Sequence, residues 1–123
     1  MARARKDLGK RGETAALAYL HDLGYTLLEK NHRLRMGEID LILRDREVLV
    51  FCEVKTSQLG FAWESYTARQ RKRMCTLILS YLARSGWEGP VRVDLMALDR
   101  EPASPHYRVE HFQDILSIND IWL

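Results

Sequence analysis

Two short apolar runs constrain this chain most, because each carries acids where a covered strand ordinarily carries none. The first is Gly37-Glu38-Ile39-Asp40-Leu41-Ile42-Leu43, and the second is Val48-Leu49-Val50-Phe51-Cys52-Glu53-Val54-Lys55. Both are rich in Val, Ile, Leu and Phe, and Asp45-Arg46 between them suits a tight turn, so the segment reads as a β-hairpin. Strand alternation puts Glu38, Asp40 and Ile42 on one face of the first strand, and Leu49, Phe51, Glu53 and Lys55 on one face of the second. A turn at that place pairs Glu38 with Glu53 and Asp40 with Phe51, so the acids and Lys55 are expected on a common face. Asp40 is then diagonal to Glu53, at a Cβ separation of roughly 7 to 8 Å. Carboxylates at that range repel unless a cation joins them, and Lys55 offsets only part of the charge. A hard divalent ion, Mg2+ or Mn2+, answers the rest. The competing reading is an ordinary half-exposed hairpin with solvated acids. Ile42, Leu49 and Phe51 on the same face weigh against it, since covered carboxylates need partners or a metal.

At 123 residues, 46% hydrophobic and 29% charged, the chain reads as one domain, 1–123, large enough to bury a core without disulfides or structural zinc. No apolar run reaches membrane-spanning length and the N-terminus lacks a signal-peptide core, so a cytoplasmic location is expected. Cys52 and Cys75 fall on apolar faces and read as core thiols. A net charge of +2 does not by itself argue for nucleic acid, but its distribution does more. Arg3, Arg5, Lys6, Lys10 and Arg11 crowd the start, Arg33 and Arg35 precede the hairpin, and Arg69, Arg71, Lys72 and Arg73 open a later helix. An acidic centre with a basic surround suits a phosphate backbone, against the alternative of a merely solvated surface, which the N-terminal cluster alone does not outweigh.

Along the chain, residues 1–7 read as a flexible basic arm and 8–23 as a helix with Glu13, Ala16, Leu17 and Leu20 on one stripe. Glu13 has two readings of equal weight: it leans toward the sheet with that stripe, or it is a first-turn acid at the positive end of the helix dipole. Gly12 removes a side chain where close approach is needed. Gly24 caps the helix, and 25–31 reads as a strand. The loop after Lys55 holds Phe61 and Trp63, which either stack on a base or cover the core. A long helix over 66–84 carries Gln70, Met74, Leu77, Ile78 and Tyr81 on its inner stripe, with Gln70 facing the interior as a hydrogen-bonding partner for the acids or as a boundary residue. A strand over 91–98 places Arg92 and Asp94 together as a structural pair. An edge strand over 107–111 and a terminal helix over 114–121 follow, within a C-terminal extension of 113–123. The four histidines show no ligand spacing.

Glu13 in a first helix, Gly37-Glu38-Ile39-Asp40 in one strand, Glu53-Val54-Lys55 in the next, then a long helix and Arg92-Val93-Asp94, together resemble the YraN-like family of small bacterial proteins. That family is similar to the PD-(D/E)xK nucleases, close to archaeal Holliday junction resolvases. The resemblance implies an α/β fold of restriction endonuclease-like type: a mixed sheet of about five strands with a central hairpin, flanked by helices in αβββαβ order. It further implies Asp40 and Glu53 as ligands of Mg2+ or Mn2+, helped by the Val54 carbonyl and Glu13, with Lys55 orienting the attacking water and Glu38 supporting from behind. The activity implied is hydrolysis of phosphodiester bonds in structured or branched DNA, by a chain that acts as a homodimer. Two departures, Ser57 and Gln70 where the family commonly carries basic residues, leave a second reading: a DNA-binding or assembly module that keeps the fold with little or no catalysis.

Overall fold

Five runs rich in β-branched and apolar residues pair, in sequence order, into one mixed sheet. The computed structural model describes the backbone of residues 2–58, 60 and 62–116, with side chains from residue 9 onward. Helix α1 (Ala2–Asp22) leads into β1 (Thr26–Leu34), β2 (Gly37–Asp45) and β3 (Val48–Ser57). A short 3-10 turn (Ala62–Ser65) and helix α2 (Ala68–Ser85) carry the chain to β4 (Val91–Arg100) and the edge strand β5 (Tyr107–Phe112). Among the described strands β3 and β4 form the one parallel pair, and α2 supplies the crossover that parallel neighbours need. The architecture is the αβββαβ core expected, with β5 added at the edge. Helix α1 begins earlier than the periodicity implies, at Ala2. Phe61 and the residues proposed for a terminal helix beyond 116 lie outside the described residues, and 113–116 are irregular. Among the described residues, no helix is long and apolar enough to cross a membrane.

Alternate residues of β3 feed two cores. Leu49 and Phe51 pack with Ile39, Ile42, Met74, Leu77 and Ile78 beneath α2. Val50 and Cys52 pack with Leu41, Leu43, Met96, Ala16 and Leu20 beneath α1. Phe51 is fully buried and meets Tyr81 edge-on at 5.4 Å, a side chain whose burial contributes about 3 kcal/mol. Neither cysteine forms a disulfide: Cys52 is fully buried in the α1-side core and Cys75 packs against the α2-side core. Helix α2 is closed at both ends: Thr67 and Gln70 form a reciprocal capping box, and Gly86 at φ 68° ends it. Gly24 at φ 93° does the same for α1, its N–H reaching the His21 carbonyl at 2.9 Å.

The hairpin differs from expectation in register and in face. Leu41 pairs with Cys52, Ile42 with Phe51 and Asp45 with Val48, so the connection is Arg46-Glu47 and the pairing is displaced by two residues from the one inferred. Asp45 stays in the strand because its carboxylate binds Arg92 of β4 at 3.1 Å, and Arg46 takes the left-handed conformation, φ 56°. The displacement is even, so faces are preserved up to Leu41. Beyond it, alternation fails: Ile39 joins Ile42 on the α2 side, so Asp40 no longer shares the Ile42 face. The cause lies in β1. The pairs Lys30↔Leu41 and His32↔Ile39 leave Asn31 opposite Asp40 with no registered pair, and Asn31 sits at φ 53°. Asn tolerates that conformation better than most residues.

Candidate metal centre

The β2–β3 ladder ends at Leu41↔Cys52 although both strands continue. In the opening, Asp40 Oδ2 accepts the Val54 N–H at 2.8 Å, replacing the backbone carbonyl that a continued ladder would offer. The Asp40 carboxylate therefore reaches between the strands. Glu38 and Glu13 join it, and the ligand oxygens of all three lie within 4.8 Å of one another. Glu13 thus leans toward the sheet, which decides between its two readings. Asn31, which the sequence reading passed over, links the group: its amide nitrogen, turned toward the acids, donates to Glu38 Oε1 at 2.9 Å and to Glu13 Oε1 at 3.1 Å. An Asn interrupting a strand-like run one residue before His32-Arg33 was the available signal. Arg33 Nε holds the other oxygen of Glu38 at 3.0 Å.

Glu53 and Lys55 stand differently from the expectation of one shared face. Alternation from Phe51, and the pairing of Glu53 with Leu95, carry both onto the side that α2 covers, where Lys55 Nζ binds Glu53 Oε1 at 3.1 Å. Glu53 is thus outside the three-carboxylate group, yet close enough to be the strongest charged influence on Asp40. Burial first, then the Glu53 charge, push the Asp40 carboxyl up to about 8, against the opposing Val54 hydrogen bond. Burial and then Glu38 likewise raise Glu13 above its ordinary 4.5, while the Asn31 amide pulls it down. The donor set is entirely oxygen, negative in sum and short of cations, which fits a hard divalent ion.

Gln70 does not serve the acids. Its Oε1 accepts the Thr67 N–H at 3.1 Å in the capping box, so its polar end is used at the start of α2. Arg35, Arg69, Arg71, Lys72 and Arg73 are exposed, and Arg73 lays its stem over Gly37. Arg71 also reaches the Ile115 carbonyl at 3.4 Å.

Close approach of α1 to β3 delivers Glu13. A Cβ on Gly12 would sit 1.9 Å from Thr56 Cγ2. Gly12→Ala gains about 1 kcal/mol of helix propensity, but overpacking of that severity costs about 1–3 kcal/mol. Urea unfolding should show a net loss, and Thr56→Ser, which removes the clashing methyl, should restore most of it. A gain in stability from Gly12→Ala alone would contradict this packing.

Fold and site define a class: a small α/β protein of restriction endonuclease-like core, with an acidic cluster where its central hairpin opens. The chain belongs to the uncharacterised protein family UPF0102, the YraN family its motifs resemble, whose pattern matches residues 12–98. A UPF0102 protein of Pelotomaculum thermopropionicum is 41% identical over 118 residues, covering 93% of this chain and 98% of its own. A second, from Herpetosiphon aurantiacus, is 41% identical over 94% of this chain and 98% of its own, and one from Symbiobacterium thermophilum is 42% identical over 77% and 84%.

Proposed function

We propose that this protein is a metal-dependent endonuclease that hydrolyses phosphodiester bonds in structured or branched DNA. The observation that carries the reading is the meeting of Glu13, Glu38 and Asp40, oxygens within 4.8 Å of one another, at the open end of the hairpin that also bears the Glu53–Lys55 pair. Glu13 and Asp40 would hold Mg2+ or Mn2+, with Glu53 and the Val54 carbonyl as the ligands the family resemblance adds. When bound, such an ion supplies Lewis acidity toward a phosphoryl oxygen and a water of lowered pKa. The chain's own residues do the rest. Asn31 and Arg33 fix the Glu38 carboxylate, which closes the acidic group from the β1 side. Lys55, anchored by Glu53, presents an ammonium to a phosphate oxygen or to the attacking water. Arg35, Arg69, Arg71, Lys72 and Arg73 supply exposed cations for the backbone of the DNA. Paired cuts on opposite strands call for a homodimer.

In a nicking assay on branched DNA, the wild type should cut with Mg2+ or Mn2+ and not in chelator. Lys55→Ala should lower the rate by about 10²–10³-fold while leaving DNA affinity nearly unchanged. A second reading, a DNA-binding or assembly module with little catalysis, draws on the use of Gln70 at the helix cap and on Glu53 standing apart from the three grouped acids. Salt-sensitive binding without cleavage under any metal would establish that reading instead.

A further inference from the structure

We infer that a pocket of about 360 Å³ between the 3-10 turn, the first turns of α2 and the end of β5 is a stacking subsite for an unpaired nucleobase. The inference rests on the nucleic-acid reading above and adds to it the substrate feature recognised. Trp63, Tyr66, Arg71, Leu95, Phe112 and Ile115 line the pocket, whose size falls within the roughly 300–1,000 Å³ of ligand sites. Trp63 is 47% exposed and Phe112 36%, so these two aromatics border the pocket with ring surface that the core does not use. Tyr66 contributes ring to the wall, while its hydroxyl is buried away from the pocket surface with no hydrogen-bond partner among the described residues. Two features together select the occupant. Aromatic walls suit a flat ring, and Arg71, with exposed Arg69 and Lys72 on the same helix start, suits a phosphate attached to that ring. Among the described residues, no acid lines the pocket.

Its position ties it to the candidate centre. Leu95 on its wall is the registered partner of Glu53, and the Glu53 charge is the strongest electrostatic influence on Tyr66, after burial. A nucleotide seated there lies on the side of β3 that bears the Glu53–Lys55 pair. Bases in a duplex have both faces stacked already, so only an unpaired or extruded base offers a face to Trp63. The subsite therefore selects DNA with unpaired nucleotides at or beside the branch.

The test is a binding measurement on the full chain in chelator, where cleavage plays no part. Three DNAs of equal length and charge are compared by fluorescence anisotropy: a duplex, the same duplex with a short unpaired tract, and that tract with abasic sugars. The wild type should bind the unpaired tract about 10-fold more tightly than the other two, within the range of one stacked base. Trp63→Ala should abolish the preference and leave duplex affinity within about twofold, while Trp63→Phe, which keeps a ring, should retain most of it. Equal affinity of the wild type for all three DNAs, as expected if the pocket takes an apolar peptide, would overturn the subsite and leave the nuclease reading standing. A preference that survives in Trp63→Ala and Phe112→Ala would overturn it as well. Absence of binding to any DNA at low salt would remove both.

Discussion

Asp94→Ala should lower the free energy of unfolding by about 3–5 kcal/mol, the range for breaking a buried ion pair from one side. Asp94 is fully buried on the α1 face of β4, and every oxygen is committed. Arg92 grips it with Nε at 2.9 Å and Nη2 at 3.0 Å, His111 Nε2 meets it at 2.8 Å, and the Asp114 N–H donates to it at 3.0 Å. The same guanidinium reaches Asp45 and the Tyr25 hydroxyl, so it joins β4, β2 and the segment between α1 and β1. Removing Asp94 takes the carboxylate from buried His111 and leaves Arg92 with Asp45 as its remaining acid. Burial alone would raise this carboxyl, but the His111 and Arg92 hydrogen bonds and the Asp114 N–H outweigh it and hold it below its ordinary 3.8. A depressed acid stabilises the native state at pH above its unfolded value, and that contribution is lost as pH falls through the folded value. Acid unfolding of the wild type should therefore steepen below about pH 4, and Asp94→Ala should lose that steepening. A loss under about 1 kcal/mol in chemical denaturation would show the network to be dispensable.

Asp40→Asn should move two properties in opposite directions. Without metal, the Asp40 carboxyl keeps its proton in the native state over a window, from its ordinary 3.8 to about 8, in which the unfolded chain has lost it. Native stability of the metal-free wild type should then fall as pH rises through that window, by at most about 1.4 kcal/mol per pH unit. Asn has no proton to lose and its Oδ1 still accepts the Val54 N–H. The variant should flatten the slope and exceed the wild type by about 2 kcal/mol at pH 8, less than the limiting slope allows because neighbouring acids share the proton. Divalent-cation affinity and cleavage should disappear together. Thermal unfolding across pH, with and without Mn2+, reads both effects, and a variant less stable than the wild type at pH 8 without metal would contradict the burial argument.

The hairpin, the order of elements and the Arg92–Asp94 pair were legible because period-2 alternation and apolar composition are local properties. Gly24 as the α1 cap and Gly12 as the point of close approach were legible for the same reason. What escaped depends on groups distant in sequence. Asp45 belongs to the strand, not the turn, because Arg92, 47 residues away, holds it there. The change of face at Asp40 follows from the left-handed Asn31 in the neighbouring strand and from the capture of Asp40 by the Val54 N–H, neither of which leaves a periodic trace in β2. Glu38 accordingly stands with Glu13 and Asp40, while Glu53 stands apart from them beside Lys55. Gln70 is a different case: Thr67-Ala68-Arg69-Gln70 is a readable capping-box spacing, and the side-chain amide is engaged in that cap.

Titration of the metal-free chain with Mn2+, followed by the loss of the free-ion paramagnetic resonance signal, most directly tests whether these carboxylates share a cation. Saturable uptake by the wild type, weakened at least 10-fold in Glu13→Gln and absent in Asp40→Asn, is the expected result. Equal uptake by wild type and both variants, or none by a wild type that still binds DNA, would contradict it.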